Sequence, residues 1–375
     1  MTARGAAEDE LPPLAGFTVG VTAARRAEEL VALLERKGAV VVHAPAIRII
    51  PLADDARLRA ATESVLRAPV DAVVVTTAIG FRGWLEAAEG WGLGTGLLSR
   101  LGAARLLTRG PKSRGAVRAA GLVETWSPPS ESNAEMLDRL LTDGVAGRRV
   151  VVQLHGEPQP EFVGALRAAG ADVVEVPVYR WQPPSDPTPL HRLVDAVLTR
   201  QVDALTFTSA PAVASLLAAA AETGREEPLL AQLRREVLAA CVGSICAGPL
   251  VARGVPVVRP ERARIGALVR ELAVTLPARA GRLWIAAREV ELRGHAAVVD
   301  GMLRPVPRAP MAVFRALAAT PGRVVPRRRL LAALPTGGDE HAVETAIGRL
   351  RTALGEPRLV QTVVKRGYRL AVDPR

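Results

Sequence analysis

The chain has 375 residues, 49% of them apolar, which is enough for two or three domains with cores of their own. Its formal net charge is +11, and residues 277–375 hold 18 Arg and Lys against 8 Asp and Glu, a surplus of 10 that leaves the remainder close to neutral. Two cysteines exclude a disulfide scaffold, 3% aromatic residues exclude a stacking platform for single strands, and apolar runs broken by Gly, Ser and Pro exclude a span of the ~20 residues a bilayer needs.

Residues 1–16 are polar and acidic with no hydrophobic segment, so no secretory signal is expected; the protein is expected in the cytoplasm, without a membrane partner. From residue 17 onward, short apolar runs alternate with helical patterns: a strand over 17–22, a helix around 28–36, a strand over 40–43. Such alternation implies parallel sheets covered on both faces. Segments also recur about 132 positions apart: Val70-Asp71-Ala72 returns as Val202-Asp203-Ala204, the helix and turn of 30–38 returns as 162–170, and Gly110 and Gly121 return as Gly243 and Gly254. The first 270 or so residues are therefore read as a duplicated α/β pair of lobes.

Ligands of parallel sheets bind beyond the carboxyl ends of the strands. The loops there carry Arg25, Thr77, Lys112, Ser113, His155 and Ser209. Hydroxyls, small residues and a few cations suit the binding of an anionic ligand; there is no carboxylate pair and no Ser/His/Asp set. Each hydroxyl also stands just before a predicted helix, so for any one of them taken singly a helix N-cap is the favoured reading. Cys241 and Cys246 are spaced as core thiols, and the five dispersed histidines predict no metal.

Val21-Thr22 with Arg25, Val75-Thr76-Thr77, the stretch from Gly110 to Gly121, Val178-Tyr179-Arg180, Phe207-Thr208-Ser209-Ala210-Pro211 and Ala240-Cys241-Val242-Gly243 occur in an order that resembles uroporphyrinogen-III synthase. The resemblance implies a bilobed synthase-like α/β fold over 14–271, with lobe one from 14–48 and 182–271, lobe two from 51–176, and two strands, 46–50 and 177–181, between them. It further implies cofactor-free closure of a linear hydroxymethylbilane with inversion of its last ring, Tyr179 standing at the family's tyrosine, and Gly243 and Ser244 joining the ligand-binding set. Departures accompany it. The second Gly-Pro-x-Thr turn reads Gly243-Ser244-Ile245-Cys246, Ile79 stands where a polar residue is frequent, and Arg109 replaces a small apolar residue. Two readings stay open: a working synthase, and a descendant that binds a tetrapyrrole-related or other small anion without turning it over.

Residues 272–282, with Pro277 and Gly281, read as a linker. Beyond it, 283–375 show short strands with an Asp300-Gly301 turn, three helical patterns and two strands around Lys365-Arg366-Gly367. With Thr320-Pro321-Gly322-Arg323, Ile347-Gly348-Arg349-Leu350-Arg351 and Gly367-Tyr368-Arg369-Leu370, this stretch resembles the α+β winged helix-turn-helix output domain of OmpR/PhoB-like response regulators. The resemblance implies that the third helix enters a major groove of promoter DNA and the wing touches its backbone. His341, Glu344, Thr345 and Arg349 would then face base edges, with Arg351, Thr362, Lys365 and Arg366 on or near phosphates. The combination is similar to actinobacterial regulators of nitrate and nitrite assimilation. It implies double-stranded DNA and a small anion as partners, with RNA polymerase, another regulator and a second copy on DNA as further candidates.

Overall fold

The computed structural model describes residues 11–51, 56–156, 159–335, 337 and 339–372. It divides into a compact unit Arg48–Gln182 and a second made of the chain on either side. The second unit contains a five-stranded parallel sheet in the order Val257–Val258, Leu238–Cys241, Ala204–Phe207, Thr18–Val21, Val40–His43. Its inner strands are buried along their whole length because helices cover both faces. Leu205, Phe207, Ala239 and Cys241 face one cluster, which includes Leu193, Val213 and Leu229. Val19, Val21, Leu238 and Ala240 face another, which includes Leu30, Leu34 and Leu268. The alternation follows from successive side chains pointing to opposite sides of a strand.

The unit Arg48–Gln182 holds a sheet in the order Arg48–Pro51, Asp172–Gln182, Arg149–Gly156, Ala72–Val75, Arg105–Thr108. All its neighbours are parallel except the first pair, which runs antiparallel from Arg48 opposite Gln182 to Pro51 opposite Tyr179. The internal repeat is visible in this topology. Strands 72–75 and 204–207, 105–108 and 238–241, 149–156 and 18–21, 172–182 and 40–43 occupy corresponding places in the two sheets. We refer to the sheet around Thr18–Val21 as lobe one and to Arg48–Gln182 as lobe two.

Residues 272–279, read from sequence as the start of a linker, continue a helix, Ile265–Arg279. Ile265, Leu268, Leu272 and Leu276 recur at helical spacing and bury in the same cluster as Leu30 and Leu34, which outweighs the local Pro277 signal. The next strand begins two residues later. Four antiparallel strands, Gly281–Ile285, Arg288–Leu292, Ala296–Val299 and Met302–Pro305, lead into helices Arg308–Ala318, Arg327–Ala333 and Glu340–Leu354 and a closing hairpin of Val360–Val363 and Gly367–Leu370. Asp300 and Gly301, at φ 47° and 80°, make the expected tight turn. Phe314, Leu317, Val343, Ile347, Leu350 and Tyr368 share one core. This is the α+β winged arrangement expected from sequence. Among the described residues no helix is long and apolar enough to cross a membrane.

Candidate functional site

In lobe two the loop after strand Ala72–Val75 is organised by Thr77. Its hydroxyl caps helix Ala78–Gly90 by accepting the Gly80 N–H at 3.2 Å. It also accepts from the side-chain amide of Gln153 at 3.0 Å, and the Tyr179 hydroxyl approaches it at 3.5 Å. Gln153 is fully buried, donates a second time to the Thr77 carbonyl, and accepts the Thr76 hydroxyl on its own backbone carbonyl. Its side-chain carbonyl oxygen has no hydrogen-bond partner. Gln153 was not expected from sequence, although a lone amide in an apolar parallel strand is an available signal.

Ser113 is also a cap. Its hydroxyl accepts the Gly110 N–H at 3.1 Å and donates to the Gly110 carbonyl at 2.9 Å, closing the first turn of helix Pro111–Ala119. Lys112 beside it is exposed. Arg109, at the carboxyl end of strand Arg105–Thr108, is half-buried, and desolvation holds its guanidinium below the ordinary value while Tyr179 and Glu131 pull it up. A cation kept in that position beside a phenol is suited to an anionic group. His155 belongs to strand Arg149–Gly156, and its side chain lies outside the described residues.

Lobe one presents the same edge with different chemistry. Arg25 is exposed after strand Thr18–Val21. Its neighbour Arg26, held at φ 53°, pairs with Glu29 at 2.5 Å. Ser209 precedes helix Ala210–Glu222 and makes no side-chain cap, unlike Thr77 at the N-cap of its helix and Ser113 inside the first turn of its own. Gly243 precedes helix Ser244–Val251 in an extended conformation, and Ser244 is exposed. Cys241 and Cys246 are buried free thiols, and their mutual hydrogen bond together with burial pushes the Cys241 thiol up. No cluster of three or more potential metal ligands occurs among the described residues.

In the C-terminal module, helix Glu340–Leu354 starts at an Asp339 cap, whose carboxylate accepts the Ala342 N–H at 3.0 Å, and ends at Gly355 with φ 74°. Val343, Ile347 and Leu350 point into the core, which turns His341, Glu344, Thr345 and Arg349 to solvent on one face. Glu344 lies 3.8 Å from Arg327, whose guanidinium stacks 5.2 Å over the ring of Tyr368. Arg351 is committed within the fold: it donates to the Val360 carbonyl at 2.7 and 3.0 Å and to the Thr362 hydroxyl at 2.9 Å, tying the helix to the wing. Lys365, at φ 60°, and Arg366 are exposed at the hairpin tip next to Val364. The helix face thus exposes four polar or charged side chains and the tip two cations.

Comparison with known proteins adds to this geometry. Residues 28–270 match the family model described as uroporphyrinogen-III synthase HemD, and residues 305–370 match that described as transcriptional regulatory protein, C terminal. A Bacillus subtilis (strain 168) protein, YjjA, described as uncharacterized, is 29% identical over 261 residues, covering 69% of this chain and 96% of its own. A putative uroporphyrinogen-III synthase of Methanothermobacter thermautotrophicus is 28% identical over 167 residues, 44% of this chain and 65% of its own. The crystal structure of a mutant uroporphyrinogen III synthase from the extremely thermophilic bacterium Thermus thermophilus is similar with a TM-score of 0.56 at 28% identity, over 68% of this chain and 96% of that one. The match over residues 28–270, more than half of the chain, together with the similarity to a solved synthase structure, shows that the chain belongs to the uroporphyrinogen-III synthase HemD family and carries a transcriptional-regulator DNA-binding domain at its end.

Proposed function

We propose that the chain is a DNA-binding transcriptional regulator whose HemD-type domain receives a tetrapyrrole-related or other small anionic ligand, and that nitrate and nitrite assimilation genes are its targets. The observation that carries the sensing reading is the chemistry at lobe two. Thr77 and Ser113 are engaged in helix caps, Tyr179 approaches Thr77, and Arg109 adds a half-buried cation where the family pattern has a small apolar residue. Such a surface favours holding an anionic ligand over driving its reaction. At the other end, the exposed face of helix Glu340–Leu354 supports reading of double-stranded promoter DNA, with Arg349 on a base edge or adjacent phosphate and Lys365 and Arg366 on the backbone. Two copies on direct repeats, with RNA polymerase or another regulator as neighbour, fit a domain of this type.

The test gives full-length protein freshly made hydroxymethylbilane and quantifies the macrocycle isomers. No type III product above the spontaneous background is expected. Footprinting with wild type and Arg349→Ala then tests the DNA half: the variant should lose about five- to 150-fold in affinity, the span of ~1–3 kcal/mol that one good base contact is worth. Equal protection by both would remove Arg349 from the interface. The second reading, a working synthase, is favoured by the Tyr179 hydroxyl 3.5 Å from Thr77. Type III product that falls with Tyr179→Phe would establish it.

A further inference from the structure

The DNA-binding module and lobe one fall within one compact unit, and they meet through buried polar contacts. The tripeptide Arg293-Gly294-His295, between strands Arg288–Leu292 and Ala296–Val299, enters lobe one at the amino-terminal ends of its strands. Arg293 donates to the Ala15 carbonyl at 2.6 Å and lies 5.3 Å over the ring of Phe17. The His295 backbone N–H donates to the Gly16 carbonyl at 2.9 Å, and its Nδ1 lies 3.3 Å from the Thr18 hydroxyl. From the module's first helix, Arg315 donates to the Gly294 carbonyl at 2.6 Å and to the Arg200 carbonyl at 3.2 Å, and stands 3.9 Å from Asp203. Asp203 in turn accepts the Thr18 N–H at 2.7 Å.

Two comparisons separate this junction from an incidental contact. The internal repeat places Asp71 in lobe two where Asp203 stands in lobe one, and Asp71 makes the same bond, accepting the Arg149 N–H at 2.7 Å. Asp71 is exposed, whereas Asp203 is covered by Gly294 and Arg315. The module therefore occupies a strand edge that lobe two leaves open. Complementarity there is close: a Cβ added at Gly294 would lie 1.8 Å from an Asp203 carboxylate oxygen. Ala296 is fully buried yet is no part of the module's own core; it lies against Gly16.

We propose that this edge of lobe one is a docking surface that clamps the DNA-binding module in one orientation, and that Asp203 and Arg315 carry changes in lobe one to the helix that faces DNA. Strands Thr18–Val21 and Ala204–Phe207 join the two ends of that path: their amino ends hold the clamp and their carboxyl ends open on Arg25 and Ser209, only ~13 Å away at ~3.3 Å per residue. Beyond Arg315, Phe314 and Leu317 of the same helix pack in one core with Val343 and Ile347 of helix Glu340–Leu354. The signalling half of this inference rests on the function proposed above; the docking half does not.

The experiment measures amide hydrogen exchange in the full chain without ligand or DNA. Gly294 does not occupy the left-handed region, so Gly294→Ala adds a methyl that strains only the clamp. The amides of Phe17 and Asp203 should exchange at least tenfold faster in this variant. Strand Arg149–Gly156 should be unchanged, as should every amide in Gly281→Ala, where nothing lies within 4 Å of the added methyl. Should Gly294→Ala unfold the module, seen as lost protection of Phe314, Arg293→Met is read in its place by the same two amides. Exchange at Phe17 and Asp203 equal to wild type in the variant so read overturns the docking surface. For signalling, footprints are compared with and without hydroxymethylbilane. A response in wild type that is weakened in Gly294→Ala supports the path, and an equal response in both overturns it. No response in wild type, with the exchange result intact, sinks the ligand reading and the path and leaves the docking surface standing.

Discussion

Burial pushes the Asp203 carboxyl up from its ordinary value near 3.8 to about 6, against the opposing pull of the Thr18 N–H and the Arg315 and Arg200 charges. A carboxyl whose folded value is raised binds its proton more tightly in the folded chain, so its contribution is fully present below about pH 4 and is lost as pH rises through about 6. The rise is about two pH units, and at 1.36 kcal/mol per unit the loss approaches about 3 kcal/mol above pH 7. Asp203→Asn keeps an acceptor for Thr18 and removes the charge. Hydrogen exchange of strand Ala204–Phe207, compared between wild type and variant at each pH so that intrinsic rates cancel, reads this contribution. The two proteins should be alike near pH 4. By pH 7.5 the variant should exchange more slowly, by up to about a hundredfold. A ratio independent of pH would show that Asp203 is not a buried carboxylate and would refute the reasoning.

Three further outcomes follow from the contacts. Arg351→Ala should destabilise the C-terminal module by about 1–2 kcal/mol, the lower part of the range for charged donors because the side chain is partly solvated, measured as a lower urea midpoint; an unchanged midpoint would mean that the bonds to Val360 and Thr362 contribute nothing. Arg109→Met should leave lobe two as stable or more so, since it removes a half-buried cation, yet weaken binding of uroporphyrin III about tenfold in a fluorescence titration; unchanged affinity would take Arg109 out of the ligand surface. Thr77→Val should cost about 1–3 kcal/mol in lobe two by uncapping helix Ala78–Gly90 and removing one of the two acceptors of the buried Gln153 amide, and a cost near zero in thermal unfolding would mean water replaces the hydroxyl.

Much of the fold was legible because its signals are local. Period-two and helical patterns mark strands and helices, and Asp300-Gly301 marks a tight turn. The candidate site was less so. Thr77, Ser113 and Ser209 look alike in sequence, each a hydroxyl where a helix is expected to begin, yet Thr77 caps its helix from outside, Ser113 closes a first turn from within, and Ser209 makes no cap. Arg351 reads as a surface cation, but the return of the chain at Val360 places a carbonyl within its reach. Gln153 matters through Thr77, a residue far away in the chain.

Patterning and the repeat were sufficient by themselves to determine a duplicated parallel α/β domain followed by a basic module of short strands and helices, because strand and helix periodicity depends on neighbours within a turn or a strand; the winged form of that module came from its resemblance to a known family. Only the tertiary structure decided the fate of identical pieces. Val-Asp-Ala occurs twice with the same backbone bond, and nothing in the motif distinguishes Asp71 from Asp203. One stays in water and the other is covered by Gly294 and Arg315, because desolvation depends on what the chain brings back over a residue rather than on the residue itself.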